Sequence, residues 1–392
     1  MNFGKMPHAS GFLRESEFDL EYFYELKPAL CDSCKLFQII DVPDPSKTFH
    51  LDYPHITSTS KFVVNHFKEL ALLITERYLT QPNPFTIEIG SNDGSFLTSF
   101  AKSNIRHLGI EPAATVAKLG INKGINTITD FFSQELAKKI LTCYGQADVI
   151  FGANVIAHIP DIRSIAKGIV ELLKDNGVFI FEAVYLGDLI RNTSYSQIYD
   201  EHVYNFSIES VKNIFSEYGL ELFDVDWLSL QGGSLRYHLG FSGKREIQAS
   251  VRDRETDERH NKLNQHETMI KFRDRCELAR DNLMGLVGNL HNQGNRIVGY
   301  GAATKSTIVL NYAGIRKSTI DYIVDSTPYK QGKYSPGTHI PIRSPSYFRQ
   351  NYPDYTIIFP WNHFEEIRSK EYKYCKSNGR WILPFLKPEI RS

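Results

Sequence analysis

The pattern of apolar and polar positions changes near residue 67 of this 392-residue chain. Residues 1 to about 65 carry many aromatic residues, prolines and polar turns without helical periodicity, which predicts a small, loop-rich cap. A helix is predicted over 67–80, and short apolar runs then alternate with helical segments, at 86–89, 107–110, 147–151 and 177–182. Strands that alternate with helices predict a parallel, doubly wound α/β sheet.

The second half of the chain continues this pattern with two changes. Residues 221–241 predict a hairpin that turns at Gln231-Gly232-Gly233, an antiparallel addition to the sheet. Residues 244–291 are rich in charge, with Leu263, Ile270 and Leu278 among the few apolar positions, which favours a solvated linking helix. Strand–helix alternation resumes at 296–305, 320–325 and 355–360 and predicts a second, smaller Rossmann-like domain. The predicted boundaries are 1–66, 67–243, 244–291 and 292–392.

Composition narrows the class of protein. Forty-five basic residues balance forty-five acidic ones, so no overall field recruits nucleic acid or an anionic membrane. The apolar runs are too short to span a bilayer, and the N-terminus lacks a basic segment followed by an apolar one, which predicts a soluble, cytoplasmic protein. Five cysteines, only two of them closely spaced, argue against a disulfide scaffold.

A glycine turn and a nearby acid predict a nucleoside site. The segment 87–97, Ile-Glu-Ile-Gly-Ser-Asn-Asp-Gly-Ser-Phe-Leu, is an apolar run that ends in a turn of small residues. Glycine lets the backbone approach a small molecule closely, and Glu111, at the end of the next apolar run, suits ribose hydroxyls. Together they resemble the first two motifs of S-adenosylmethionine-dependent methyltransferases.

That resemblance implies a cofactor site along one edge of the sheet. S-adenosylmethionine would lie over Gly90–Gly94, with its ribose at Glu111 and its adenine near Asp130 and Phe131. The residues predicted to bind it are Glu88, Gly90, Ser91, Asp93, Gly94, Glu111, Pro112, Asp130, Phe131 and Asn154.

Two further segments carry groups suited to proton transfer. Asn154 and His158 follow a buried apolar run, where ligands of parallel sheets bind, although a lone histidine is more often structural. The segment Tyr199-Asp-Glu-His202 places a phenol, a carboxylate and an imidazole together, just before a helix that Ser207 is predicted to cap. An imidazole can take a proton near neutral pH, and a phenol can donate to an oxyanion. A helix entry with surface charges explains the tetrad nearly as well.

Four motifs, which follow one another along the chain as they do in the family, resemble the sugar C-methyltransferases of deoxysugar biosynthesis. These enzymes methylate C3 of nucleotide-linked 4-keto-6-deoxyhexoses. These motifs span 199–202, 154–161, 231–236 and 299–306, and the similarity runs from Phe3 to the C-terminus. The resemblance implies a class I methyltransferase sheet with a small N-terminal cap and a second Rossmann-like domain. It assigns catalysis to Tyr53, His158, Tyr199, Glu201 and His202. It assigns the nucleotide sugar to Ser58, Ser60, Gln231, Arg236, Tyr300, Lys305 and Lys330.

The expected chemistry is carbon methylation through an enolate. His202 would remove the C3 proton beside a 4-keto group while Glu201 orients it, and Tyr199 and His158 would donate to the enolate oxygen. Tyr53 would close the pocket from the cap. Two other functions stay open: an O- or N-methyltransferase of another small metabolite, and a non-catalytic protein that binds nucleotide sugars. In each case the protein binds a small molecule, and the protein itself is expected to be a monomer.

The cap and the last domain leave two questions. The family's cap binds zinc with two cysteine pairs, whereas this chain keeps only Cys31 and Cys34, and Met1 falls about where the first pair would end. Two thiolates do not close a zinc site, so a missing N-terminal stretch, a metal-free cap and a histidine ligand such as His8 are open. The turn at 299–305 departs from a dinucleotide fingerprint and has no evident partner acid. With Lys305 it suits phosphate, and a purely structural domain is the alternative.

Overall fold

The computed structural model describes residues 1–44 and 56–392. The first part contains four short strands: β1 (Lys5–Pro7), β2 (Phe23–Glu25), β3 (Pro28–Leu30) and β4 (Phe37–Ile39). β1 pairs with β2, and β4 pairs with β3 on one side and with β10 (Tyr204–Asn205) on the other, all antiparallel. Main-chain hydrogen bonds therefore join the N-terminal region to a loop far along the chain.

The first helix, α1 (Lys61–Tyr78), begins before the predicted start at residue 67. Ser60 caps it, since its side chain accepts a hydrogen bond from the Val63 amide at 3.4 Å. The helix buries Phe67, Leu70, Ala71 and Ile74 on one face. This spacing of three and four residues places the four side chains on one stripe against the sheet.

The central sheet has seven strands in the order β11-β12-β9-β8-β5-β6-β7. The strands are β5 (Phe85–Ile89), β6 (Arg106–Ile110), β7 (Thr127–Ile128), β8 (Ala147–Ala153), β9 (Leu173–Val184), β11 (Leu220–Leu228) and β12 (Ser234–Phe241). β5 to β9 are parallel, so their carboxyl ends line one edge of the sheet. β11 and β12 form the predicted hairpin. The strand order reverses beside β5, and ligands of such sheets bind at this point.

Helices connect these strands and cover both faces of the sheet. They are α2 (Leu97–Lys102), α3 (Ala114–Asn122), α4 (Gln134–Tyr144), α5 (Ile162–Leu172), α6 (Leu186–Arg191) and α7 (Ile208–Ser216). Ser207 caps α7 as predicted, because its side chain accepts a hydrogen bond from the Ser210 amide at 3.1 Å. Ser133 and Asp161 cap α4 and α5 in the same way.

The segment predicted as a solvated linking helix is different in the structure. It forms two helices, α8 (Ala249–His260) and α9 (His266–Asn292), and α9 has a fully buried face. That face consists of Met269, Phe272, Cys276, Ala279, Leu283, Val287 and Leu290. Ile270 and Leu278 are instead exposed, by 37% and 48%. The prediction of a solvated helix was wrong because one apolar stripe, spaced by three and four residues, lies within an otherwise charged sequence.

The C-terminal part forms a second α/β sheet, which agrees with the predicted fold class. Its six strands are β13 (Ile297–Tyr300), β14 (Ile323–Val324), β15 (Ile342–Arg343), β16 (Tyr355–Ile358), β17 (Arg380–Leu383) and β18 (Glu389–Arg391). Their order is β15-β14-β13-β16-β17-β18, and only β18 is antiparallel to its neighbour. The helices are α10 (Thr304–Tyr312), α11 (Pro345–Gln350), α12 (Phe364–Lys370) and α13 (Tyr372–Lys376).

One apolar core runs through all of these parts. It includes Met6 and Phe37 from the N-terminal region, Phe181 from the central sheet, Phe272 from α9 and Ile308 from α10. The N-terminal and C-terminal parts therefore lie against the central sheet and can contribute side chains to a shared site. No helix in the described part of the chain is long and apolar enough to cross a membrane.

Candidate active site

The glycine turn after β5 closes tightly against its neighbours. Gly90 and Gly94 have φ values of 71° and 73°, a region that favours glycine. A Cβ at Gly90 would lie 2.8 Å from a methyl group of Val155, and one at Gly94 would lie 2.7 Å from Ile125. The turn therefore needs glycine for both its conformation and its packing.

Glu111 joins the end of β6 to this turn. Its Oε2 accepts a hydrogen bond from the Asn92 amide and its Oε1 accepts one from the Ala113 amide, both at 2.9 Å. Burial raises the pKa of Glu111, and the two amides partly oppose this change. The predicted ribose ligand thus lies on the expected edge, and it also shapes the turn.

The residues at this edge fit a polar cofactor. Glu88 is 3% exposed, and its Oε2 has no hydrogen-bond partner among the described residues. Burial, together with the charges of Glu111 and Asp93, raises the pKa of Glu88 well above its usual range, which favours the protonated form of this carboxyl. The Ser91 hydroxyl is likewise buried without a partner in the described chain. Unsatisfied buried polar groups beside a glycine turn are typical of a ligand site.

Asp93 is one of the predicted cofactor residues. It is fully buried, and its carboxylate accepts hydrogen bonds from Ser95 Oγ at 2.6 Å, Lys123 Nζ at 2.9 Å and the Ser58 amide at 3.2 Å. Burial alone would raise the pKa of Asp93, but these donors hold it below its ordinary value. The carboxylate of Asp93 therefore holds neighbouring segments together. A contact with the cofactor stays a prediction.

The other predicted cofactor residues lie at the ends of neighbouring strands. Asn154 follows β8 with a φ of 52°, and its amide donates to the Glu182 carbonyl at 2.8 Å. Pro112 is half-buried after β6, and Asp130 and Phe131 are exposed after β7. All of them lie at the edge that the glycine turn occupies.

Three predicted catalytic residues meet next to this edge. The Tyr199 hydroxyl and His202 Nε2 are 2.8 Å apart, and His202 Nδ1 lies 2.7 Å from the Gln197 carbonyl oxygen. A carbonyl only accepts, so Nδ1 carries the proton and Nε2 accepts the Tyr199 hydroxyl. The His158 ring stacks on His202, with ring centroids 5.2 Å apart.

His202 is a neutral imidazole near pH 7. Burial lowers its pKa to about 4; the hydrogen bond to Gln197 opposes this change, and the charge of Lys305 adds to it. A neutral imidazole with its lone pair on Nε2 is the form that can accept a proton.

Gln197 takes the role that the sequence assigned to Glu201. The expected orienting partner of His202 was Glu201, but the Gln197 carbonyl occupies Nδ1, and Glu201 Oε1 accepts from Ser10 Oγ at 2.7 Å. The Tyr199 proton points to His202 rather than to an enolate oxygen. The Gln197 side-chain amide donates to the Gln231 carbonyl in the hairpin turn. Sequence reasoning missed Gln197 because a main-chain contact leaves no side-chain pattern.

The start of α10 approaches this cluster from the C-terminal part. Thr304 lies beside the Tyr199 phenol, and Lys305 is close enough for its charge to act on His202. Burial lowers the pKa of Lys305 to about 8, and its Nζ lies 5.1 Å from the centroid of the Trp361 ring. No described carboxylate forms an ion pair with it. A partly buried ammonium without an acidic partner among the described residues suits an anionic ligand.

Two predicted sugar-binding residues are used inside the protein. Arg236 donates to Glu182 at 2.9 Å and to Asp226 at 3.2 Å, and it is 6% exposed. The Tyr300 hydroxyl donates to Glu371 at 2.9 Å from within an apolar cluster. Carboxylates of the protein bind both side chains, and a contact of either one with the sugar stays a prediction.

The remaining predicted residues are placed as follows. The Ser60 hydroxyl caps α1, Ser58 is exposed, and Gln231 has a φ of 52° in the hairpin turn. Lys330 donates to the Ala302 carbonyl at 2.7 Å and so supports the turn before α10. Tyr53 lies outside the described residues.

An acid that the sequence analysis did not find completes the C-terminal turn. Asp325, directly after β14, accepts hydrogen bonds from the amides of Ala302 and Thr327, each at 2.8 Å. Glu111 makes the same two kinds of contact in the central sheet. The expectation that this turn has no partner acid was therefore wrong.

The described residues do not bring three or more histidine, cysteine or acidic side chains together as a metal site. Cys31 and Cys34 lie in the turn between β3 and β4. The described residues do not bring His8 together with them as a metal site, and its Nδ1 lies 2.7 Å from Asp200 Oδ2.

The strand order, the hairpin, the glycine turn and its acid define a class I S-adenosylmethionine-dependent methyltransferase. A family model described as a methyltransferase domain matches residues 65–225, and one described as a C-methyltransferase C-terminal domain matches 229–385. The C-methyltransferase NovU of Streptomyces niveus is 31% identical over 394 residues, covering 100% of this chain and 94% of NovU. The chain belongs to the family of S-adenosylmethionine-dependent C-methyltransferases of the NovU type. This relation favours carbon as the acceptor over oxygen or nitrogen.

Solved structures of methyltransferases resemble this chain only weakly. Magnesium protoporphyrin IX methyltransferase from Synechocystis is 12% identical, with a TM-score of 0.35, covering 46% of this chain and 79% of that one. The CcbJ methyltransferase from Streptomyces caelestis is 12% identical, with a TM-score of 0.36, covering 45% and 90%. Similarity at this level says nothing about the substrate.

Proposed function

We propose that this C-methyltransferase methylates C3 of a nucleotide-linked 4-keto-6-deoxy sugar through an enolate. The observation that carries the proposal is the buried, neutral His202, whose Nε2 faces Tyr199 and whose Nδ1 is fixed by the Gln197 carbonyl. A base of this kind is needed when the acceptor is carbon, because a carbon atom must lose a proton before it can attack.

The 4-keto group explains why such a weak base can act. An ordinary sugar C–H is far too weak an acid, whereas a carbon next to a carbonyl gives an enolate whose charge rests on oxygen. The C3–H bond breaks, the proton moves to His202, and the electron pair moves to the carbonyl oxygen. His158, stacked on His202, and the nearby Lys305 supply polar and positive groups for that oxygen. When bound, S-adenosylmethionine would supply the methyl group that C3 takes and would leave as S-adenosylhomocysteine, while the 4-keto group re-forms.

Tyr199 gives the proton transfer two possible paths. Its hydroxyl donates to His202 Nε2, so either it turns away and exposes the lone pair, or it takes the C3 proton while passing its own to the imidazole. Both paths leave a protonated His202 and an enolate. Tyr199→Phe separates them, because only the second path requires the hydroxyl.

Lys305 supports a nucleotide sugar over a free sugar. Its side chain is partly buried at the start of α10, its ammonium lies over the Trp361 ring, and no described acid pairs with it. A diphosphate would provide the negative charge that pairs with Lys305, and it would hold the sugar near His202. NovU, the relative that is similar over the whole chain, is named a C-methyltransferase, which agrees with a carbon acceptor.

The test is hydrogen exchange in heavy water. TDP- and GDP-linked 4-keto-6-deoxy sugars are incubated with the protein without S-adenosylmethionine, and deuterium is located by NMR. C5 also lies beside the 4-keto group, so the position of the label decides between the two carbons. We expect deuterium at C3, and one added methyl group by mass once S-adenosylmethionine is present. Label at C5, or methylation without exchange, would contradict the proposal.

The matched variants are His202→Asn and His107→Asn. A positioned general base contributes about 10²–10⁴-fold, so His202→Asn should lose that much exchange while still binding both ligands. His107 is the control, because its Nδ1 also contacts a main-chain carbonyl, that of Ile105 at 2.9 Å, on the opposite end of β6. Equal exchange in both variants would remove His202 as the base.

A further inference from the structure

We propose that Ser10 is a positioning residue for the methyl transfer, acting through Glu201. The inference rests on the proposed function. The Ser10 hydroxyl donates to Glu201 Oε1 at 2.7 Å, and the two preceding residues bind Asp200. His8 Nδ1 lies 2.7 Å from Asp200 Oδ2, and the Ala9 amide donates to Oδ1 at 3.1 Å. Three consecutive residues of the N-terminal part thus bind two consecutive carboxylates.

These two carboxylates form the turn between Tyr199 and His202. The His202 amide donates to the Tyr199 carbonyl at 2.9 Å, so a main-chain hydrogen bond joins the first and last residues of this turn. Asp200 and Glu201 are only 5% and 6% exposed, and a buried carboxylate is costly unless donors surround it. The donors from residues 8–10 therefore determine where this turn rests.

The segment 8–10 is itself held on its other side. Thr307 Oγ1 in α10 donates to the Ala9 carbonyl at 2.8 Å. The segment lies between the catalytic turn and the helix that carries Lys305. Ser10 touches neither His202 nor the site of the reacting carbon in any described contact, so its effect must pass through Glu201.

The first test compares Ser10→Ala with Ser250→Ala. Ser250 is the matched control, because its hydroxyl also donates to a carboxylate at 2.7 Å, that of Asp224, away from the site. The net free energy of a hydrogen bond to a charged group corresponds to roughly a tenfold change in a rate or an equilibrium constant. Ser10→Ala should therefore lower kcat about tenfold. KM for the nucleotide sugar and the affinity for S-adenosylmethionine should change less than about twofold. Ser10→Thr, which keeps the hydroxyl, should restore kcat.

The second test asks whether Ser10 acts through Glu201. In a Glu201→Ala background, Ser10→Ala should cause no further loss of kcat, since the acceptor is gone. Losses that multiply would overturn the inference, and so would equal losses in the Ser10→Ala and Ser250→Ala proteins.

The third test does not depend on activity. Amide hydrogen exchange, read by mass spectrometry on peptides covering 195–206, should be several-fold faster in Ser10→Ala and unchanged in Ser250→Ala. Unchanged exchange would overturn the inference for Ser10 alone. A wild-type protein that methylates none of the tested sugars would instead count against the proposed function, while the exchange measurement still decides the role of Ser10.

Discussion

At the scale of single residues, burial lowers the pKa of His202, the proposed base. Its pKa of about 4 predicts that kcat/KM stays level as the pH falls from 7 and declines only as the pH approaches that value. The sign follows from the chemistry, because below its pKa the imidazole already carries a proton and cannot accept another. Measurement of kcat/KM against pH, with circular dichroism to confirm folding, checks this prediction. A decline centred near 6.5, the ordinary histidine value, would contradict it.

Two neighbouring carboxylates should respond differently to loss of charge. Asp93 is fully buried and paired with Lys123, so Asp93→Asn should lower the free energy of unfolding by about 2 kcal/mol. Glu111→Gln keeps an acceptor for one amide and should mainly weaken S-adenosylmethionine binding, about tenfold. Denaturant unfolding and calorimetry on both variants separate the effects. The opposite assignment of the two losses would show that Asp93, and not Glu111, is the cofactor ligand.

At the scale of elements, helix α7 depends on a carboxyl from α8. Glu258 accepts hydrogen bonds from the amides of Ile208 at 2.7 Å and Glu209 at 3.2 Å. Burial raises its pKa to about 7, although both amides oppose the change. Above about pH 4.5 the folded state therefore keeps a proton on Glu258 that the unfolded state has lost. The contribution of the protonated Glu258 to the free energy of unfolding is complete below that pH and is lost as the pH rises towards 7.

The prediction is a pH-dependent difference between wild type and Glu258→Gln. Glutamine cannot titrate, so the variant should gain up to about 3 kcal/mol relative to wild type between pH 4.5 and 8. Urea unfolding at a series of pH values gives this difference. A constant difference over that range would show that Glu258 titrates alike in both states.

The elements themselves were largely predictable from the sequence. The glycine turn at Gly90–Gly94 and the hairpin at Gln231–Gly233 were visible because the main chain there adopts conformations that favour glycine. The buried face of α9 was not visible, because charged residues on the other faces lower the average apolarity of the segment. The start of α1 was also missed, since its first turn has few buried side chains and is defined by the cap at Ser60.

At the scale of the whole molecule, Trp361 joins the C-terminal part to the central sheet. A Cβ on Gly232, whose φ is 89°, would lie 2.7 Å from Cη2 of Trp361. Gly232→Ala should therefore displace Trp361 and, with it, Lys305, whose ammonium lies over the ring. Overpacking of this kind costs about 1–3 kcal/mol, so affinity for TDP should fall roughly tenfold while S-adenosylmethionine binding is kept.

The control for this variant is Gly294→Ala. Gly294 has a φ of 82°, and a Cβ there meets no atom within 4 Å. It therefore bears the same backbone strain without the contact with Trp361. Calorimetric titration of both proteins with TDP tests the prediction, and equal affinities would show that Trp361 does not position the anion site.

Contacts between distant parts of the chain explain why the site was predicted only in part. Tyr199 and His202 were recognised because they lie within four residues of each other. His8 and Asp200 are 192 positions apart, and no local pattern links them. Arg236 and Tyr300 were assigned to the sugar because their motif resembles the family's, whereas the carboxylates that bind them come from other elements.

The hydrogen bond from Thr307 to the segment 8–10 has a consequence for the order in which the site is completed during translation. A ribosome adds about 5–20 residues per second, so Thr307 emerges roughly 5–20 s after His202. During that interval residues 8–10 and the turn at 199–202 have already been synthesised, but α10, which holds residues 8–10 from the other side, has not. We therefore expect the turn at 199–202 to reach its final position only after α10 has been synthesised, so that an unfinished chain should not methylate its substrate.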